Sequence, residues 1–317
     1  MKEITLTIFG GSGFVGKSII NSFQNNYLTK YRINKINIVS RHAKLKLKSF
    51  KSKKIFLYDY DFLLNFGDLP EASDIIIIGA ETNDYSNYKK NLKSNSLIDN
   101  ILKIIDKNYH YADILYLSSG AVYGFQENLE GFKEKDEIGN LSKMTDYKKN
   151  YAKSKIYFEN KIKYLSSNSR KVVIARCFTF IGQYLPLDKH FVIGNMYDCV
   201  FKKKKFEINS EKNIFRSYMD EFDLVEWLFL LIIKSKKKFD IYNIGSDIPI
   251  SIYELAKKFN EVLGMDFDHR KSNYGNDIYL PNIDKFKNEI SPNFNSNLDE
   301  IIKYNYDKIS KKINKKL

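Results

Sequence analysis

Two cysteines, Cys177 and Cys199, are all that this chain of 317 residues carries. Two thiols cannot build a disulfide framework, and Cys177 lies in an apolar, strand-like run, which suits a reducing compartment. Histidine is scarce as well. His42, His110, His190 and His269 show no metal-like spacing with one another or with the cysteines, so no metal site is expected. The longest apolar run, Trp227 to Ile233, is far too short to cross a bilayer. Met1-Lys2-Glu3-Ile4 leads straight into a strand pattern, with no room for a signal peptide. The expectation is a soluble, cytoplasmic protein without a membrane partner.

Arginine is the most informative shortage. The formal net charge is +14, yet of 52 basic residues only Arg32, Arg41, Arg170, Arg176, Arg216 and Arg270 are arginines; the other 46 are lysines spread from end to end. Bidentate reading of bases and phosphates favours arginine, so nucleic acid is not the expected partner. The charge reads as solvated surface with a site for anionic ligands. What is plentiful is core-forming: 43% of residues are hydrophobic and 15% aromatic, enough for one large domain or two interlocked ones.

Along the chain, residues 4–9 alternate and then meet a glycine cluster, which reads as a strand entering a turn. Apolar residues at 15, 19, 20 and 23 follow at helical spacing. Further strands are expected at 36–39, 55–58, 75–78, 114–117 and 172–175, with helices at 97–105 and 145–165. The four isoleucines 75–78 suit a strand buried on both faces. This alternation predicts an α/β fold, a doubly wound parallel sheet of the Rossmann type, over residues 1–178. Residues 179–317 then form a smaller mixed α/β substrate-binding domain packed on it. Residues 220–247, holding a helix at 223–233 and a strand at 240–244, are expected to return to the sheet. A helix at 252–263 belongs to the smaller domain.

The first strand ends in Gly10-Gly11-Ser12-Gly13-Phe14-Val15-Gly16, a G-x-x-G-x-x-G turn opening a helix. With 15 glycines in the chain, chance supplies this spacing about 0.03 times. Gly10 permits the turn, Gly13 lets backbone amides approach a pyrophosphate, and Gly16 lets helix and strand pack closely. Ser12, Phe14, Val15 and, after the fourth strand, Gly79 and Ala80 are further candidate cofactor contacts. An NAD site places an acid at the end of the second strand. Here that strand ends Val39-Ser40-Arg41-His42, and no acid stands between Ile36 and Tyr58. Ser40 and Arg41, helped by Lys44, suit a 2′-phosphate, which favours NADP while leaving NAD open.

Tyr151 and Lys155 are spaced to share one helix face. Alone the spacing carries little weight: about three such pairs arise by chance in this composition, and others start at Tyr31, Tyr85, Tyr253 and Tyr304. Position favours Tyr151. It lies on the long helix after the fifth strand, whose carboxyl end reads Leu117-Ser118-Ser119-Gly120-Ala121-Val122-Tyr123-Gly124. An ammonium beside a phenol favours phenolate, making Tyr151 a usable acid or base near neutrality. A serine hydroxyl can hold a substrate oxygen beside that phenol during hydride transfer.

Together the Gly10–Gly16 turn, the Ser118–Gly124 segment and Tyr151–Lys155 resemble the extended short-chain dehydrogenase/reductase family, also called the NAD-dependent epimerase/dehydratase family. The resemblance continues through Arg176–Gly182, Asn195, Phe215–Tyr218, Tyr242–Gly245 and Ser251–Leu255, and spans essentially the whole chain. It implies a catalytic set of Ser119, Tyr151 and Lys155, with Lys155 also on the nicotinamide ribose. It also implies a nucleotide-diphosphate sugar as substrate, with Arg216 at the diphosphate and Asn195 nearby. Two departures matter. The family's 4,6-dehydratases carry an Asp-Glu pair just after the catalytic hydroxyl, where this chain has Gly120-Ala121. Many members carry Asn after the sixth strand, where this chain has Thr179. The segments 118–124 and 176–182 look most like nucleotide-sugar 4-ketoreductases such as CDP-abequose and CDP-paratose synthases. The expectation is therefore an NADPH-dependent 4-ketoreductase, as a homodimer. An NAD-dependent 4-epimerase is the alternative, and a non-catalytic dinucleotide-sensing or RNA-binding relative is the alternative of another class.

Other polar residues read less sharply. Glu81, Thr82 and Asn83 follow the fourth strand and face either substrate or solvent. Tyr123 is expected to pack beneath the turn. His190 is a loop residue, Lys202–Lys205 an exposed charge run, and Lys303–Leu317 a solvated terminal helix.

Overall fold

The computed structural model describes residues 3–50, 52–59, 70, 72–80, 88–126, 128–167, 169–187, 191–270, 275–294 and 297–314, the side chains of 88–94 excepted. Seven strands form one sheet: β1 (Ile4–Phe9), β2 (Ile33–Ser40), β3 (Ile55–Asp59), β4 (Ile75–Ile78), β5 (Asp113–Ser119), β6 (Val172–Cys177) and, late in the chain, β11 (Phe239–Ile244). Their order is β11-β6-β5-β4-β1-β2-β3, and every pairing is parallel. The order reverses between β1 and β4, so both strands end at the switch point where such sheets bind ligands.

Both faces of the sheet are covered. Ile75 and Ile77 join one core cluster and Ile76 and Ile78 the other, as period-two strands require. The first cluster receives α1 (Phe14–Gln24), through Ile19 and Ile20. On the second face α3 (Tyr88–Asn108) and α4 (Asp146–Ile162) supply Ile101, Ile105, Phe158 and Ile162. Among the described residues between β2 and β3 the one helix is the short α2 (Ala43–Lys46).

A third cluster belongs to the outer part. There α5 (Val192–Lys202), α7 (Ile252–Leu263) and α9 (Leu298–Asn314) enclose Met196, Tyr197, Leu255, Phe259 and Ile302. Its strands are short: β9 (Asn213–Arg216) pairs with β12 (Ile250–Ser251) and β14 (Asn276–Tyr279), β8 (Phe206–Ile208) with β13 (Phe267–His269), and β7 (Phe180–Ile181) with β10 (Met219–Asp220).

The helix α6 (Glu221–Lys234) packs on the sheet through Leu224, Trp227, Leu228 and Leu231, and so does α8 (Asp284–Ile290) through Phe286 and Ile290. That second return has no counterpart in the sequence reading. The terminal helix also differs from expectation. It is not a solvated appendage: Ile301, Ile302 and Ile309 enter the outer core, and buried Asn305 donates to Asp220 at 3.2 Å. Isoleucines at 301, 302 and 309 keep one helix face apolar among many lysines, which masks the pattern in the composition. Among the described residues no helix is long and apolar enough to cross a membrane.

Candidate active site

The turn after β1 is shaped by backbone contact. Gly10 has φ +90°, where side chains are strained, and a Cβ there would stand 2.6 Å from the backbone of Gly79 and Ala80. At Gly16 a Cβ would lie 2.4 Å from the backbone of Gly11. These two glycines let the ends of β1 and β4 touch and let α1 lie on the turn. Gly13 differs: a Cβ there would meet only Gly10 O, at an ordinary 3.5 Å. No side chain caps α1 and no acid stands in its first turn, so its N–H groups suit an anion. Phe14 and Val15 turn their side chains to the first core, and Phe14 lies 6.4 Å from the Phe180 ring. They and half-buried Ser12 offer a ligand mainly backbone.

At the end of β2, Ser40 is buried and its Oγ makes no hydrogen bond among the described residues. An orphaned hydroxyl costs about 1–3 kcal/mol unless water or a ligand meets it. Arg41 is exposed beside it. Asp59, at the end of β3, pairs in register with Ser40 and accepts the Lys44 N–H at 3.2 Å. It lies one residue beyond the strand expected at 55–58. Ladder register, not spacing along β2, brings it to the edge. An uncapped helix, a bare turn and an orphaned hydroxyl together fit a dinucleotide.

Ser119 ends β5 and caps the tight turn 120–122, its Oγ accepting the Ala121 N–H at 3.2 Å. On α4, Tyr151 is half-buried and Lys155 is 3% exposed. The Lys155 ammonium donates to Leu117 O at 2.7 Å and stands 5.7 Å from the Tyr151 ring centroid. Desolvation lowers the Lys155 pKa to about 7, against the opposing influence of Cys177 and Glu159. Thus α4 brings Tyr151 and Lys155 to the carboxyl end of β5, where Ser119 stands.

The same helix holds another pair at this spacing, Tyr157 and Lys161, which position along the chain does not exclude. The structure separates the two. Tyr157 donates to the Asp99 carboxylate at 2.9 Å, across to α3, and Lys161 is exposed. Tyr123 packs as expected: its ring stacks on Phe132 at 4.6 Å and its hydroxyl donates to Asn243 Oδ1 at 2.8 Å.

The outer part contributes Arg216 and a residue that sequence reading missed. Tyr279 ends β14, opposite Arg216 on β9. Its hydroxyl lies 3.3 Å from Ser119 Oγ, and the Arg216 guanidinium lies 5.8 Å from its ring centroid. Desolvation pushes the Tyr279 pKa up to about 12, so the phenol stays neutral. The only hint in the sequence was Ile278-Tyr279-Leu280-Pro281, an apolar break in a polar tail. Arg216 donates to the Asp277 carboxylate at 3.0 Å and to Asp277 O at 2.8 Å. Thr179 turns its hydroxyl to Ser217 O, tying β7 toward β10. Asn195 is exposed on α5. Glu81, Thr82, Asn83 and His190 lie outside the described residues.

Comparison with known proteins accords with this geometry. The profile of the NAD dependent epimerase/dehydratase family matches residues 6–245. A dTDP-D-glucose 4,6-dehydratase of Dictyostelium discoideum is 26% identical over 271 residues, which is 80% of this chain but 61% of that protein. The dTDP-glucose 4,6-dehydratase of Bacillus anthracis superposes with a TM-score of 0.77 at 17% identity, over 97% of both chains. The UDP-glucose 4-epimerase of Thermotoga maritima gives 0.76 at 15%, over 98% of this chain and 100% of that one. At such identities the superpositions speak for the fold. With the profile spanning the sheet, the glycine turn, the Tyr151–Lys155 helix and the return of β11, the chain belongs to the NAD-dependent epimerase/dehydratase family.

Proposed function

We propose that the protein is an NADPH-dependent reductase of a nucleotide-linked 4-keto sugar. The glycine turn, Ser40 and Arg41 hold the dinucleotide, and the outer part holds the sugar nucleotide, with Arg216 at its diphosphate. When bound, the cofactor supplies hydride to the carbonyl carbon. Ser119 holds the carbonyl oxygen by hydrogen bonding, and Tyr151 delivers its phenolic proton to that oxygen as the hydroxyl forms. An ammonium at Lys155 stabilises the phenolate left behind, and that phenolate in turn favours the charged form of Lys155. Buried Leu117 O fixes the lysine so that this pairing needs little rearrangement.

Dehydration is not carried over from the Dictyostelium relative's name. Removing water from C5 and C6 requires an acid and a base, and Gly120-Ala121 stand where the family's dehydratases place them. The observation that carries the reductase reading is Arg41 at the end of a β2 that has no acid. A second reading, an NAD-dependent 4-epimerase, is favoured by Asp59 lying in register with Ser40.

Titration of NADPH and NADH into wild type and Arg41→Ala separates them. A charged contact contributes roughly 1.5–3 kcal/mol, or about 10- to 150-fold in affinity. NADPH should bind more tightly by such a factor, and Arg41→Ala should abolish most of the difference while leaving NADH unchanged. Equal affinities in wild type, or NAD carried through purification, would replace the reductase by the epimerase.

A further inference from the structure

Behind the catalytic residues lies a buried ion pair that the reaction above does not use. Glu159 on α4 and Arg176 on β6 are 5% and 3% exposed. The Arg176 guanidinium meets Glu159 in a two-pronged contact, Nη2 to Oε2 at 2.7 Å and Nε to Oε1 at 3.1 Å. The Ser118 hydroxyl donates to the same carboxylate. Three donors on one buried carboxylate leave it well satisfied, which such a group requires.

The placement of this pair is what gives it a role. Glu159 follows Lys155 by four residues and Tyr151 by eight, so all three lie along one face of α4. Lys155 bonds to Leu117 O and Glu159 to the Ser118 hydroxyl: successive helical turns are fastened to successive residues of β5. Ser118 pairs in register with Arg176, one step before Ser119 pairs with Cys177. The ion pair therefore locks the helix to two strands at the level of the serine.

We propose that Glu159 is a positioning residue: held by Arg176 and Ser118, it fixes the Tyr151–Lys155 helix on β5 and favours the ammonium form of Lys155. Lys155 is faced by Tyr116 from β5, Cys177 from β6, and Tyr151 and Glu159 from its own helix. Desolvation pushes the Cys177 thiol up to about 12, so it carries no charge at neutrality. Tyr116 and Tyr151 turn ring faces to the ammonium, with centroids at 5.2 and 5.7 Å. Glu159 is thus the carboxylate that opposes the cost of burying this charge.

This role bears on the acid-base reading above, but its test needs neither cofactor nor substrate. In protein labelled with 13C at the lysine ε-carbon, the Lys155 resonance is identified by its loss in Lys155→Ala and followed against pH. Glu159→Gln removes the opposing charge and strands Arg176 beside the site, so the Lys155 midpoint should fall by about one pH unit. A variant that serves only packing would leave it unmoved. If Glu159→Gln does not fold, Glu159→Gln with Arg176→Gln removes both charges and strands neither. Glu159 stands one helical turn from Lys155 and is the member of the pair that acts on it, so the midpoint should still fall, by less because the Arg176 cation is gone as well. An unchanged or raised midpoint in a folded variant overturns the proposal. If the protein turned out not to reduce sugars, the titration would still stand or fail by itself.

Discussion

In the sheet half of the molecule, side chains are placed by ladders of four to eight residues; in the outer part, by strands of two to four. Ser119 stands opposite Cys177 at the end of a strand that is paired on both sides as far as Tyr116, and Lys155 is bonded to that strand's backbone. Arg216 and Tyr279 stand opposite one another where β9 and β14 end, in a three-stranded sheet that rests on helices. Groups that move a proton must be held to within a fraction of an ångström, and a doubly paired strand does this. Groups that select a substrate tolerate looser placement and vary more freely. In the proposed enzyme, chemistry and recognition are therefore divided between a stiff region and a softer one, meeting at the Ser119–Tyr279 contact of 3.3 Å.

The largest expected effect breaks the stiff side alone. Tyr151→Phe removes the phenolic hydroxyl and keeps the ring. Turnover should fall by roughly 10²- to 10⁴-fold, the usual contribution of general acid-base catalysis, while dinucleotide and sugar-nucleotide affinities hold. A near-normal rate for the folded variant would remove Tyr151 from the mechanism. Loss of sugar-nucleotide binding as well would show that the two regions are not separable.

The same division decided what could be read from the sequence. The sheet was legible because buried parallel strands are unbroken apolar runs: 75–78 and 172–175 announce themselves, and the glycine turn is constrained by backbone contact at Gly10 and Gly16. Tyr151 and Lys155 were singled out by their place along that alternation, and Ser119 by the family resemblance. Asp59 was missed because lateral register is invisible in a linear reading. Tyr279 was missed because β14 is four residues long and finds its place only through β9. The buried face of the terminal helix was hidden by its lysines, and the return of α8 to the sheet carries no spacing signal at all.

At the junction between the regions, Glu221 offers a test of how they are joined. It is 1% exposed at the start of α6 and accepts from Ser18 Oγ on α1 at 2.9 Å and Gln183 Nε2 at 2.8 Å. Burial raises its pKa from 4.5 to about 7, opposed by those two hydrogen bonds and by Lys312 and assisted by Asp220. The folded protein then holds a proton that the unfolded chain has released. Its contribution to stability is complete below the unfolded value and is lost as pH rises from about 4.5 through about 7, a change on the order of 3 kcal/mol. Glu221→Gln should flatten that decline. Denaturant unfolding of both proteins at about pH 5 and about pH 8 measures it, and parallel declines would refute the assignment.

The smallest effect sharpens the softer side. Arg216→Ala should weaken nucleotide-diphosphate sugars by roughly 1.5–3 kcal/mol, the loss expected for a charge-assisted contact, and leave NADPH affinity untouched. In the ligand-free geometry, however, Arg216 is engaged with Asp277, at 3.0 Å through Nη2 and at 2.8 Å through the backbone carbonyl. A diphosphate must compete with that carboxylate for the same guanidinium. The backbone contact can persist when Asp277→Asn removes the charge, so the arginine keeps its place while its cationic field is released. Asp277→Asn should accordingly tighten binding, and Arg216→Ala in the same background should cost more than it does in wild type. Calorimetry with UDP-, dTDP-, CDP- and GDP-sugars reads both changes. Weaker binding by Asp277→Asn would mean that Asp277 itself holds the ligand, and failure of every sugar nucleotide to bind wild type would remove this substrate class.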